Sequence, residues 1–570
     1  MRNQELSKIF FEIADYLDIE GVAFKPYAYR KAALSLDSLK DDVEEIYINK
    51  GIKGLKEISG IGEGIARGIE EYLKNGKIKH FEELKKRLPL KVDELLRVES
   101  IGPKKIKTLY QKLGIKDLKG LERAAKAHKI SPLFGFGTVT EKNILKGLEF
   151  LKQSKGRFLL GEIMPTVKDV IARLRKQKEI KEISVAGSVR RQKETIGDID
   201  ILVASINSKK TANFFVAMPE VRKIWAKGST KCSVRFKQGF DIDIRMVEQK
   251  SFGSALQYFT GSKEHNIATR KIAISKGLKL SEYGVFKGKK QIAGRTEEDV
   301  YRAIGLSYIA PEMREDEGET KAALEGKLPK LVELKDIKGD LHCHTDWDGG
   351  ENSIEEMSKK AIGLGYEYIG IADHAKLPIE HGLDEKQLLE QNIEIKKINE
   401  KFNGRFKILH GCEVNILEDG SVDIKDEVLE KLDYVIAGAH SFFKMTREEM
   451  TKRMIKVMEN PNVDIISHPT GRLIGRRDEF QMDFDKILEV AKKTGTILEI
   501  NASPFRLDLN GFYIRRAKSG GVKMIINTDS HQKNQIELME YGIGQARRGW
   551  AESKDIINTL PVEKLLEYFK

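Results

Sequence analysis

The tightest constraint on the fold lies in the last third of the chain. There, seven short apolar runs alternate with helical stretches: "KGDLHCHT", "YEYIGIADH", "FKILHGCEV", "DYVIAGAHS", "VDIISHP", "TILEINAS" and "VKMIINTDSH". Strand-length runs separated by helices argue for parallel strands, because a parallel pair needs a crossover connection rather than a tight turn. Seven such units predict a barrel-like α/β domain over residues 338–570. Each run ends on a side chain that can bind a metal or a phosphate. His342 and His344 are two apart and share one strand face. His374, Glu413, His440, His468, Asp529 and His531 follow at or near the ends of later runs. Ligands at the C-terminal ends of successive barrel strands converge on one mouth. Imidazole and carboxylate without thiolate suit Zn²⁺, Mn²⁺ or Fe²⁺, with room for more than one ion. Eight of the 11 histidines fall in residues 338–570, and of these His381 and His410 lie off this register and read as structural. Cys343 and Cys412 alternate away from the neighbouring ligands and read as core.

A second constraint is acidic. "AGSVRRQKETIGDIDILV" (186–203) embeds Asp198 and Asp200 in an otherwise apolar strand. Two carboxylates on one strand face repel, and burying them uncompensated is costly. "FDIDIRMV" supplies Asp243, with Asp241 two residues before it. Three carboxylates on adjacent strands can hold two Mg²⁺ ions, the arrangement used to move a phosphoryl group. The Gly187-Ser188 turn and Arg190 or Arg191 then suit a triphosphate.

The charge of the chain is divided unevenly. Residues 338–570 carry 34 Lys+Arg against 40 Asp+Glu, so the whole positive excess of the +13 net charge lies in residues 1–337. A polyanion is expected to bind there. Residues 1–90 read as short helices, with Ile9, Phe10, Ile13 and Leu17 on one face of the first. "EISGIGEGIARGI" places Gly60-Ile61-Gly62 between two helical runs, and "RVESIGPKKIKTLY" repeats the pattern with Gly102. Such turns bring backbone N–H groups and a helix N-terminus up to a phosphate. No apolar stretch is long enough to cross a bilayer, the N-terminus does not read as a signal peptide, and three scattered cysteines suggest no disulfide framework. A cytoplasmic protein is expected.

Gly-Ser followed at this spacing by Asp-x-Asp is the nucleotidyltransferase signature. Together with "FKPYAYRKAA", "YFTGSKEHN" and the two Gly turns, residues 1–315 resemble the family X DNA polymerases, the group that includes DNA polymerase beta. The resemblance implies that Asp198, Asp200 and Asp243 bind Mg²⁺ or Mn²⁺ and catalyse, with Asp243 the general-base candidate. It implies that Gly187, Ser188, Arg191 and Gly197 contact the triphosphate and that Tyr258, Phe259 and Gly261 lie against its sugar. Asn266 would face the base, Arg270 and Tyr283 the template, and Lys25 and Tyr29 a 5′-phosphate. Gly60, Gly62 and Gly102 would approach DNA backbone. Gly64 and Gly68 stand where polymerase beta carries lysines, one of them its Schiff-base nucleophile, so weak or no lyase activity is expected.

Residues 338–570 resemble the PHP (polymerase and histidinol phosphatase) domain, which implies up to three metal ions, Zn²⁺ or Mn²⁺, on the eight ligands named above. It also implies 3′–5′ exonuclease or 3′-end-processing activity, with abasic-site cleavage in some members. This chain departs from the usual Ser-Asp-Gly after His-x-His, having Asp348-Gly349-Gly350, which shifts the carboxylate by one residue.

The expected architecture is multidomain α+β and α/β. It comprises a helix-hairpin-helix domain (1–90), a fingers-like helical domain with the second hairpin (91–150), a nucleotidyltransferase palm (151–250), a thumb-like domain (251–315), a linker (316–337) and a distorted (β/α)7 PHP barrel (338–570). The expected function is gap-filling DNA synthesis in base excision repair, on gapped or primer-template DNA with deoxynucleoside triphosphates, by a monomer. Two other readings are a PHP nuclease or phosphatase that uses the polymerase module for targeting, and a non-catalytic gap scaffold. The scaffold leaves both ligand constellations unexplained.

Overall fold

The computed structural model describes residues 2–39, 42–96, 98, 101–153, 157–375 and 382–569. His381, expected to be structural, lies outside them, as do Arg97, Glu99 and Ser100 before the second Gly turn. The chain divides into two compact units, residues 1–155 with 475–477 and residues 156–474 with 478–570.

The first unit is helical, from Arg2–Glu20 to Gly137–Gln153. Leu6, Phe10, Ile13 and Leu17 form the buried face of the first helix, with Ile9 at its margin. The expected division at 90/91 is not a division of cores. One apolar cluster runs from Leu6 through Ile61 and Leu90 to Ile106 and Leu148. Short amphipathic helices each bury too little surface to be stable alone, so the two hairpin regions share one interior. Both Gly turns end on a glycine in extended conformation that caps the next helix: Gly62 before Glu63–Asn75 and Gly102 before Pro103–Leu113. Neither cap has a side-chain partner, and a Cβ on either glycine would meet no atom within 4 Å. The helix N-termini are therefore open to a ligand.

The second unit opens with a five-stranded sheet in the order Ile180–Val185, Asp198–Ser205, Asp241–Val247, Lys231–Phe236, Val221–Lys227. Asp198–Ser205 and Asp241–Val247 pair in parallel, which sets Asp198 opposite Asp241 and Asp200 opposite Asp243. Ile199, Ile201, Ile242 and Ile244 point the other way and are buried. Helices Phe252–Thr260 and Lys263–Ser275 and a small antiparallel sheet follow.

Residues 316–337 are packed rather than a free linker. Glu319 is fully buried against His265 Nδ1 at 2.7 Å, and Leu331 and Val332 enter two different apolar clusters. Isolated buried residues joined by charged ones leave no periodic face, which is why the segment reads as a linker.

The last domain carries strand segments Gly339–Cys343, Tyr368–Ile371, Lys407–His410, Glu413–Asn415, Ile436–Gly438, Ile465–Ile466, Ile497–Asn501 and Met524–Asn527, all paired in parallel. The third and fourth belong to one apolar run broken after His410. A parallel bridge between Cys343 and Ser530 joins the first strand to the last, as a barrel requires. The Tyr434 ring fills the interior; a Cβ on Gly370 or Gly411 would meet it at 2.3 or 2.4 Å. Cys343, Cys412 and His410 are buried, the last with Nε2 3.1 Å from Gln391 Oε1.

Candidate active sites

The palm cleft is a cavity of about 470 Å³. It brings together Gly187, Ser188, Arg191, Gly197, Asp198, Asp200, Tyr258, Phe259, Gly261, Asn266 and Arg270 from stretches up to 83 residues apart. Asp243 and Tyr283 are not among the residues lining this cavity. Asp243 stands beside Asp200 in strand register, and Tyr283 is exposed on the turn of the small sheet. Gly187 is needed for close approach: it has φ 60°, and a Cβ there would meet Asp200 Oδ2 at 2.4 Å. Burial and then the charges of Asp198 and Asp243 push the Asp200 carboxyl up to about 7. Lys231 Nζ, 2.6 Å from Asp243 Oδ2, partly answers that concentration of negative charge. A carboxylate cluster that already draws in a lysine suits divalent cations.

The two arginines have separate tasks. Arg190 forks onto Glu297, with Nη2 2.5 Å from Oε2 and Nη1 2.9 Å from Oε1. Arg191 faces the cleft, its Nη1 bonded to Thr260 O and its Nε 3.2 Å from Glu315 Oε1. Asp241 is held outside the cleft by Arg235 at 2.8 Å and Trp225 at 2.9 Å. Asn266 is fixed by bonds from its Nδ2 to Tyr258 O and from Gln257 Nε2 to its Oδ1. Cleft residues that the sequence did not single out are Arg157, Lys193, Thr260, Ser262 and Lys263.

The second centre is at the barrel mouth. Glu413, fully buried, is its hub. His374 Nδ1 lies 2.9 Å and His342 Nε2 3.3 Å from Oε2, and His468 Nε2 lies 3.1 Å and His440 Nε2 3.4 Å from Oε1. Asp529 Oδ1 is 3.4 Å from His344 Nε2, and the His531 ring stacks on that of His344 at 4.1 Å. Four sets of candidate ligand atoms lie mutually within 4.8 Å: His342, His344 and Asp529; His344, His374 and His531; His374, Glu413 and His440; and His344, Asp348 and Asp373. His342 Nε2, His344 Nε2, His374 Nδ1, His440 Nε2 and Glu413 Oε2 are buried and face one another without hydrogen-bond alignment. Orphaned lone pairs converging like this fit metal ions.

The electrostatics agree. Burial alone would raise Glu413 and Asp529 and lower His342, but the surrounding opposite charges hold both carboxyls well below and His342 well above their ordinary values. His468 and His531 are lowered to about 4, chiefly by burial, and so offer neutral nitrogens. His468 (φ 29°) and Asp529 (φ 55°) adopt left-handed backbone that non-glycine residues rarely take, local strain concentrated on ligands.

Four segments of the chain match family models: residues 1–78 a helix-hairpin-helix domain, 160–232 the DNA polymerase beta palm, 255–315 the DNA polymerase beta thumb and 340–503 the PHP domain. The DNA polymerase/3′-5′ exonuclease PolX of Bacillus subtilis (strain 168) is 36% identical over 576 residues, covering 100% of both chains. This chain belongs to the family X DNA polymerases that carry a PHP domain. Probable phosphatases of Thermoanaerobacter sp. (strain X514) and Acetivibrio thermocellus are 32% and 30% identical over 244 and 240 residues. Each match covers 40% of this chain and 94% of the relative.

In this family X chain the candidate ligands have orienting partners, of which the sequence reading missed Glu499 and Asn415. Glu499 Oε1 is 2.7 Å from His342 Nδ1, and Asn415 Oδ1 is 2.7 Å from His440 Nδ1. Asp348 Oδ2 is 2.7 Å from His344 Nδ1 and also accepts from His374 N at 3.0 Å. The one-residue shift after His-x-His therefore keeps Asp348 at the centre, bonded to His344 and grouped with His344 and Asp373. Such outer partners fix ring orientation and tautomer. Glu499 had a legible signal, an acid inside the apolar run "TILEINAS", the same anomaly that marked Asp198 and Asp200.

Proposed function

We propose that this chain is a DNA-directed DNA polymerase that fills short gaps in base-excision-type repair and trims 3′ ends with its own 3′–5′ exonuclease. In the palm, Asp198, Asp200 and Asp243 would hold Mg²⁺ or Mn²⁺. Such ions supply charge neutralisation for the phosphoryl group and favour ionisation of the primer 3′-hydroxyl. Asp243 is the base candidate for that proton. Ser188, Arg191 and the Gly187 and Gly197 backbone grip the triphosphate. Tyr258, Phe259, Gly261 and Asn266 position the nucleoside, and Arg270 and Tyr283 meet the template. Lys25 and Tyr29, with Gly60, Gly62 and Gly102, hold DNA phosphates without reading sequence.

At the barrel mouth, His342, His344, His374, Glu413, His440, His468, Asp529 and His531 would hold Zn²⁺ or Mn²⁺, up to three ions. Ions there polarise a phosphodiester and activate water. Substrates of this kind suit a cytoplasmic enzyme, and we read it as a monomer, which light scattering tests. The single observation that carries the reading is the cleft uniting Asp198 and Asp200 with Ser188, Arg191 and Asn266. It also disfavours a mere targeting module, which has no need of such a cleft.

The test is a one-nucleotide gap with Mg²⁺ and Mn²⁺ compared. Asp198→Ala with Asp200→Ala should abolish extension and spare 3′ degradation, whereas His342→Ala with His344→Ala should do the reverse. Extension surviving the first pair refutes the polymerase centre.

A further inference from the structure

We infer that Arg506 binds the scissile phosphate at the histidine centre, an inference that rests on the exonuclease reading above. The residue lies on the turn that leaves strand Ile497–Asn501, at the strand end where the ligands collect. Its side chain is 18% exposed, and Nε is 3.4 Å from Asp529 Oδ2. Nη1 is enclosed and has no hydrogen-bond partner among the described residues. A buried cationic N–H without an acceptor is expensive to keep, so a ligand acceptor is its natural explanation. Orienting Asp529 does not require it, because Asn501 Nδ2 already donates to the same carboxylate oxygen at 3.1 Å. A guanidinium fork offers parallel N–H groups matched to two oxygens of one phosphate.

The turn is held, so the guanidinium is pre-placed. Arg506 N donates to Ser503 O at 2.8 Å, and Arg506 O accepts from Arg472 Nε at 2.9 Å. Arg472 is itself forked onto Glu194 of the palm, with Nη2 2.8 Å from Oε1. Leu507 is buried in the palm core, and Pro504 lies so close to Gly161 that a Cβ there would meet Pro504 Cβ at 2.3 Å. Support of this kind fixes a binding group within the tolerance that catalysis needs.

In the reaction, a water oxygen bonds to phosphorus while the bond from phosphorus to the bridging 3′-oxygen breaks. That oxygen leaves with a proton as the new 3′-hydroxyl, and the released nucleotide keeps its 5′-phosphate. Arg506 donates to a non-bridging oxygen as charge builds there.

The test uses full-length Arg506→Ala and Arg506→Lys. Arg506→Ala should lower exonuclease kcat/KM by about 100-fold or more, in the range for loss of one charge-stabilising donor, with about tenfold recovered by lysine. Manganese content by elemental analysis should match the parent, and gap filling should stay within about twofold, since that chemistry uses other residues. Calorimetry with thymidine 5′-monophosphate on the Mn²⁺-loaded Asp198→Ala/Asp200→Ala chain should show about tenfold weaker binding once Arg506 is also replaced, the loss expected for one charge-assisted contact. Exonuclease unchanged in Arg506→Ala, or lost together with the manganese, overturns the assignment. A parent chain with no exonuclease sinks the underlying reading instead.

Discussion

Replacing Asp200 by Asn should stabilise the metal-free protein most at alkaline pH, by less than half as much at pH 5, and hardly at all below the ordinary carboxylate value of 3.8. Burial and two neighbouring carboxylates raise this carboxyl from 3.8 to about 7 in the folded chain. Between those values the folded state binds more protons than the unfolded state, so stability falls as pH rises through the window and is lowest above it. A shift of about 3 units corresponds to about 4 kcal/mol at 1.36 kcal/mol per unit. Local relaxation and water entry make about 2–4 kcal/mol the realistic range. The unit of roughly 400 residues that contains the palm has an unfolding entropy near 2.1 cal/mol/K per residue. The expected gain in Tm is therefore about 2–5 °C at pH 8.5 in chelator, falling to about 1–2 °C at pH 5. Differential scanning fluorimetry from pH 5 to 8.5 measures it, and added Mg²⁺ should raise the parent but not Asp200→Asn. An asparagine variant no more stable than the parent at pH 8.5, or equally stabilised at pH 5, would refute the claim that electrostatic repulsion is stored at this position.

Arg548 Nη1 donates to Arg191 O at 2.8 Å and lies 3.0 Å from Glu315 Oε1, which also neutralises Arg191. Arg548→Ala should raise the KM for the nucleotide in gap filling by about 3- to 10-fold with kcat and exonuclease little changed, as expected from losing a charge-assisted brace. Equal falls in both activities would mean general destabilisation. Glu297 faces Arg190 and the fully buried Arg314; burial alone would raise its carboxyl, but the two arginines lower it to about 2. Its stabilisation is present above its ordinary value of 4.5 and lost as pH falls towards 2, and Glu297→Gln should destabilise by about 3–5 kcal/mol, read by urea unfolding at pH 7. Borohydride trapping on an incised abasic site should give no adduct on helix Glu63–Asn75, where Gly64 and Gly68 supply no amine; a mapped adduct there would contradict this.

The parallel strands of the last domain and the cluster of histidines and acids at their ends were legible because buried polar residues stand out in apolar strands, and strand ends recur at regular intervals. The palm aspartates were legible for the same reason. What failed to show was anything fixed by tertiary geometry alone. Arg190 and Arg191 are adjacent and chemically identical, and only the placement of Glu297 and Glu315 separates a buried tie from a side chain that lines the cleft. Asp348 reaches His344 by a loop conformation that residue spacing does not encode. Glu319 is buried only because His265 and the backbone of Asp316 and Glu317 answer it. The single core of residues 1–155 was hidden because each helix looks amphipathic by itself, whichever neighbour covers it.

The two centres share a frame. Ties between palm and PHP domain include Leu507 in the palm core, Arg472 on Glu194, Lys168 on Glu540 at 2.6 Å, and Arg548 on the Arg191 carbonyl with Glu315 between them. Gln545 adds another, its Nε2 3.0 Å from Gln192 O. Three of them end on or beside a residue we assign to a site: Leu507 follows Arg506, Arg548 bonds the Arg191 carbonyl, and Gln545 bonds that of Gln192. The turn that presents Arg506 is anchored in the polymerase half, and the turn that presents Arg191 is braced by the nuclease half. Charge pairs this enclosed are weak sources of net stability, yet removing one partner strands a buried charge. Such an interface does more to fix geometry than to add stability. Fusion of the two activities on one chain thus gives each site part of its second layer of support, a stronger reason for covalent linkage than delivery of one activity by the other.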